Sequence, residues 1–119
     1  MRAIIAVLIV IAALAAVSAS SAKPIVLKGT VGPGFSISLN TAAGKPVKTL
    51  KAGSYSITVS DKSGIHMFHL IGPGMNKVLT SIGFVGTKTK VVTLKAGKYI
   101  YQCDPHKRDG MKASFTVTG

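Results

Sequence analysis

The chain has one cysteine, no tryptophan and no glutamate, and three aspartates are its only acidic side chains. A lone cysteine cannot close a disulfide within the chain, so whatever holds this fold together is not a staple. The near absence of acids leaves 15 Lys+Arg almost unopposed, with a net charge of +12 over 119 residues. Such a field attracts acidic partners or anionic surfaces. It does not read as a nucleic-acid interface, because the lysines are scattered along the chain instead of forming one basic stripe. No stretch carries a sustained helical period, which argues against a helical bundle.

The one long apolar run is at the N-terminus. Met1-Arg2 leads into an uncharged stretch, Ala3 to Val17, and then into the small residues Ser18-Ala19-Ser20-Ser21-Ala22. A basic start, a short apolar run and a small-residue exit describe a secretory signal peptide. The run is shorter than the roughly 20 residues that a membrane span needs. Cleavage is expected after Ala22, with Ala19 as the other choice and an uncleaved anchor as the alternative. Residues 23–119 then form a single exported domain, which places the protein in a periplasm, outside the cell or at a membrane surface. No stable membrane insertion is expected after cleavage.

That domain reads as all-β. Phe35-Ser36-Ile37-Ser38-Leu39, Tyr55 to Ser60 and Ala113 to Thr118 alternate apolar and polar residues, as half-buried strands do. Ile25 to Val31, Ile65 to Ile71, Thr87 to Leu94 and Lys98 to Cys103 are further candidates. Gly32-Pro33-Gly34, Asn40 to Pro46, Gly72-Pro73-Gly74 and Gly110 punctuate them. Short strands with frequent turn signals point to a β-sandwich of seven or eight strands. One segment recurs: Thr49-Leu50-Lys51-Ala52-Gly53 reappears as Thr93-Leu94-Lys95-Ala96-Gly97, each followed two residues on by a tyrosine. Tyr55 and Tyr99 are therefore expected to begin equivalent strands in the two halves.

The chemistry is concentrated in Tyr101-Gln102-Cys103-Asp104-Pro105-His106-Lys107-Arg108-Asp109-Gly110-Met111. A thiol is followed at short range by an imidazole and a thioether. In an oxidising compartment a free thiol is either buried and inert or bound to something. Thiolate, thioether and imidazole together suit copper, and two histidines and a cysteine with a weak axial methionine make a blue-copper set. Pro105 and Gly110 supply the bends that return His106 and Met111 toward Cys103. The fourth donor has to come from upstream, from His66 or His69. Residues three apart on a strand face opposite ways, and both faces of Ile65 to Ile71 are apolar, so alternation leaves the choice open.

Cys-x-Pro-His with Met eight residues after the cysteine resembles the copper loop of plastocyanin and of the cupredoxin family more widely. His66-Met67-Phe68, Ala96-Gly97-x-Tyr99 and the closing strand Ala113 to Val117 extend the similarity over most of the mature chain. The resemblance implies a Greek-key β-sandwich with one type 1 copper ion cycling between Cu(I) and Cu(II). It assigns Cys103, His106 and Met111 to the loop-ligand roles and His66 to the upstream role. His69 is then a solvent-facing or hydrogen-bonded histidine. One departure stands out: the family commonly places Asn directly after the upstream histidine, where it helps tie that strand to the copper loop, and here that residue is Met67. The expected function is one-electron transfer between redox partners without catalysis, with copper storage or delivery by the same ligands as the alternative. Lys107 and Arg108, beside His106, are the candidates for steering an acidic redox partner to a monomeric carrier. Tyr99 and Tyr101 share a face with Cys103 and are expected as core aromatics with wet hydroxyls.

Overall fold

The computed structural model describes residues 23–119; the expected signal segment and its cleavage lie outside the described residues. Among the described residues, no helix is long and apolar enough to cross a membrane.

Among the described residues, nine strands form two packed sheets: β1 (Ile25–Val31), β2 (Ile37–Thr41), β3 (Thr49–Lys51), β4 (Gly53–Asp61), β5 (Phe68–Gly72), β6 (Met75–Thr80), β7 (Gly86–Leu94), β8 (Gly97–Gln102) and β9 (Lys112–Thr118). One sheet has the order β2-β1-β4-β7 and the other β3-β9-β8-β5-β6. The chain therefore switches sheets repeatedly, which is the interleaved winding of a Greek-key sandwich. β1 with β4 and β3 with β9 pair in parallel; the other pairs are antiparallel.

The strand count exceeds the seven or eight expected because β3 and β6 carry little sequence signal. β3 is three residues long. β6 contains a register shift against β5: Phe68 pairs with Thr80 and His69 with Val78. Leu79 and Thr80 are both buried as a result, which destroys alternation there. The amide of Phe68 is satisfied by Thr80 Oγ1 at 3.2 Å. Phe35 does not start β2 as expected. It lies ahead of the strand in the turn that follows Gly32-Pro33-Gly34, and it is exposed.

The inward faces meet in one core that includes Leu27, Val31, Leu39, Ile57, Val59, Phe68, Leu70, Leu94, Tyr99 and Phe115. Tyr99 stacks on Phe115 with centroids 5.2 Å apart, and Phe68 stacks on Tyr101 at 5.3 Å. Gly72 lies over the Tyr99 ring so closely that a Cβ there would be 2.2 Å from Cδ1. Only glycine permits that approach.

The repeated segment has a common structural purpose. Tyr55 Oη donates to the Lys51 carbonyl at 2.6 Å, and Tyr99 Oη donates to the Lys95 carbonyl at 3.0 Å. Each phenol thus closes the turn four residues before it, one at the start of β4 and one at the start of β8. The Lys95 amide donates back to Tyr99 Oη at 2.9 Å. Both hydroxyls are hydrogen-bonded to backbone, where a wet hydroxyl was expected for Tyr99, and burial pushes the Tyr101 phenol above its usual range. Replacing Tyr55 or Tyr99 by Phe removes one hydrogen bond and should cost about 1 kcal/mol in each case. Urea unfolding followed by circular dichroism would measure this, and native midpoints in both variants would show that water takes over from the phenol at no cost.

Candidate metal centre

The register between β5 and β8 builds the site. His69 pairs with Gln102, Leu70 with Tyr101 and Ile71 with Ile100 in an antiparallel ladder. Continuing past the His69–Gln102 pair, the segment before β5 carries His66 and the residue after β8 is Cys103, so the two arrive at the same end of the sandwich. His66 is in the turn leading into β5 and not on the strand itself, since β5 begins at Phe68. That is why alternation could not decide between the two histidines.

The loop after Cys103 is a 3-10 helix, Asp104–Asp109, with Pro105 in its first turn and Gly110 capping it at φ 89°. Proline fits a helix start because its fixed φ suits that position and its missing amide is not needed. Glycine accepts the left-handed cap without a Cβ penalty. Three backbone hydrogen bonds close the loop on itself. The His106 amide donates to the Cys103 carbonyl at 3.0 Å, Met111 to His106 at 3.3 Å, and Cys103 to Met111 at 3.0 Å. The bends assigned to Pro105 and Gly110 are thus found, in a helical turn.

Three donor atoms converge. His66 Nδ1 and His106 Nδ1 are 3.0 Å apart, and Cys103 Sγ lies 3.7 Å from the first and 3.5 Å from the second. The point equidistant from atoms so spaced is about 2.0 Å from each, the length of an imidazole nitrogen bond to a metal, ~2.0–2.1 Å, and a few tenths of an ångström inside a thiolate bond, ~2.3 Å. The residues therefore fit a metal ion. Hydrogen bonding alone accounts poorly for such a triangle, because one shared proton between two imidazoles leaves the third buried donor without a strong partner. His66 and Cys103 are fully buried, and His106 is half-buried. Met111 is also fully buried in the core and is held to Cys103 and His106 through its backbone.

Phe35 is the residue of this neighbourhood that sequence reasoning missed. Its ring stands edge-on to both histidine rings, with centroids 5.3 Å from His66 and 4.8 Å from His106. It lines a shallow depression with His106 and Asp109. Reading it as a strand residue hid it; the preceding Gly-Pro-Gly was the signal that placed it in a turn.

His69, expected to be solvent-facing or hydrogen-bonded, is hydrogen-bonded and not among the converging donors. Its Nδ1 lies 2.9 and 3.0 Å from the two carboxylate oxygens of Asp104, and its Nε2 meets Asn76 Oδ1. Gln102 Nε2 donates to Asp104 Oδ1 at 2.8 Å. Burial alone would pull His69 down, but the bonds to Asn76 and Asp104 and the carboxylate charge outweigh it and hold the imidazole above its ordinary value. For Asp104 burial works upward, and the bonds from Gln102 and His69, with the charges of His69 and Lys107, prevail and hold it below the ordinary range.

No protein-family model matches the sequence, and no curated protein does. The fold has solved counterparts. A structure of reduced rusticyanin is 24% identical over 82% of this chain and 81% of its own, with a TM-score of 0.60. A structure described as the copper protein rusticyanin is 23% identical over 82% and 80%, also at 0.60. Rusticyanin from Thiobacillus ferrooxidans is 23% identical over 82% and 79%, at 0.55. At these identities the likeness establishes the fold, which is the cupredoxin β-sandwich.

A pH dependence follows from His69. Folding raises its pKa, so its contribution to stability is fully present below the ordinary value of 6.5 and is lost as pH rises through the higher folded value. Asp104, held low, stays ionised throughout that window. In the metal-free chain, the stability difference between the native protein and His69→Leu should be largest near about pH 6 and shrink toward about pH 9. Urea midpoints at the two pH values check this; a constant difference would mean that His69 is not charged in the fold.

Proposed function

We propose that the chain is an exported one-electron carrier that holds a single copper ion through His66 Nδ1, Cys103 Sγ and His106 Nδ1, with Met111 as the weak axial donor. The observation that carries this reading is the triangle of two imidazole nitrogens and one thiol sulfur, all within 4.8 Å of one another at a buried end of the sandwich. The rusticyanin structures with this fold include one described as a copper protein. Copper so bound would shuttle between Cu(I) and Cu(II), one electron at a time.

The protein's own part is to hold the donors still and dry. Cys103 is fixed between β8 and the looped 3-10 helix, and His66 is held by the β4–β5 turn, where its amide donates to the Ser63 carbonyl at 3.2 Å. A donor set that does not move when the electron arrives needs little reorganisation, and the surrounding core excludes water. Buried donors on rigid elements also suit retention of a metal better than its release, which favours carriage of electrons over delivery of copper. His106 supplies the exit. It is the half-buried member of the set, and its ring edge opens on the depression beside exposed Phe35. Lys107 and Arg108 flank that opening and are exposed, so an acidic redox partner is the one this rim would steer.

Copper(II) added to residues 23–119 should give an intense visible band that ascorbate bleaches and an oxidant restores. Cys103→Ser should abolish the band while leaving the fold intact by circular dichroism; a serine variant that stayed blue would sink the assignment. Met111→Leu should keep the copper and raise the reduction potential, because an electron-donating axial group is lost. Cyclic voltammetry measures this, and loss of copper in that variant would show that Met111 is not a weak axial donor.

A further inference from the structure

The β5–β8 ladder stops at the His69–Gln102 pair, short of the metal donors on both strands. Beyond it, the residue after His66 is Met67, buried and apolar, so the side-chain tie expected there from an asparagine is missing. The His69–Asp104 pair bridges the same gap. We propose that His69 and Asp104 form a clamp that positions Cys103, with His69 a positioning residue acting through Asp104.

Asp104 directly follows Cys103 in the chain, so fixing its carboxylate fixes the peptide that carries the thiol. That carboxylate is held from two sides, by His69 Nδ1 on both oxygens at 2.9 and 3.0 Å and by Gln102 Nε2 at 2.8 Å. The imidazole is held in turn, since its Nε2 meets Asn76 Oδ1 on β6. A continuous line of side chains thus runs from β6 through β5 to the ligand loop and back to the end of β8. Two-point contact with an ionised carboxylate restricts direction as well as distance. The side chain of His69 is 14% exposed, so water competes weakly at that end of the clamp. No metal donor is spent, which leaves both nitrogens and the sulfur of the triangle free for the ion.

The test uses the full metal-free, reduced chain and the rate at which iodoacetamide alkylates Cys103. The thiol is completely buried, so alkylation reports opening of the loop. His69→Ala should raise the rate roughly five- to twentyfold, the range for losing a partly exposed charge-assisted bond. His69→Asn, whose amide nitrogen stands near the position of Nδ1, should return it close to the native rate. Asp104→Ser attacks the clamp from the loop side and should raise the rate as His69→Ala does. Thr58→Ala, which breaks the exposed Thr58–Thr89 hydroxyl pair elsewhere, should leave it unchanged. The clamp is overturned by a His69→Ala or Asp104→Ser rate within about twofold of native, since a difference that small is under 0.5 kcal/mol. It is equally overturned if His69→Asn is as reactive as His69→Ala, because the side chain would then matter only for packing. In the copper-loaded protein, His69→Ala should change the copper hyperfine splitting in electron paramagnetic resonance, and His69→Asn should restore it. Only that readout rests on the copper reading: a native chain that takes up no copper refutes the reading, while the alkylation rates still judge the clamp.

Discussion

The antiparallel pairing of β5 with β8 is the contact on which the rest of the molecule depends. It joins the strand that follows the upstream histidine to the strand that precedes the cysteine, and its register decides which residues leave the sandwich together. A slip of β5 by one residue would turn Leu70 out of the core and carry His66 out of line with Cys103. The pairing is secured from within by Phe68 stacked on Tyr101 and from below by Gly72 lying against Tyr99. The same two strands therefore supply the middle of the core and the alignment of the site.

What could be read from the sequence follows the range of each interaction. Cys103 and His106 lie within one short segment whose proline and glycine dictate its bends, so their approach was legible locally; Met111 joins that segment through its backbone. The strands read from alternation, β2, β4 and β9, were legible for the same local reason, although β2 begins at Ile37 and not at Phe35. His66 was not, because it sits in a turn, and the turn is placed by pairing with residues far away in sequence. β6 was lost to a register shift that buries two successive residues, and β3 to its length. The repeat around Tyr55 and Tyr99 was visible, but that both phenols reach back to a lysine carbonyl needed coordinates.

Charge is arranged by place as much as by amount. The edge strand β7 carries Lys88 and Lys90. Lys90 Nζ donates to the Val78 carbonyl at 3.0 Å, and Lys88 lies over the Phe84 ring at 4.3 Å. Lys90 thus occupies a backbone carbonyl of the edge strand β6, which would otherwise be open to another strand. Of the three aspartates, Asp61 and Asp104 are engaged with the fold itself, Asp61 through the Ser63 amide at 3.1 Å. The third, Asp109, lines the depression beside His106 and Phe35.

The winding of the chain also sets an order in time. The segment from Cys103 to Met111 is a connection between β8 and β9, so its donors gather as soon as that hairpin closes. His66 joins only when β5 docks against β8, across an interval of more than thirty residues, and contacts of such separation form late. A nascent chain would therefore bring Cys103 and His106 together first, and His66 would reach them only once β5 and β8 have paired.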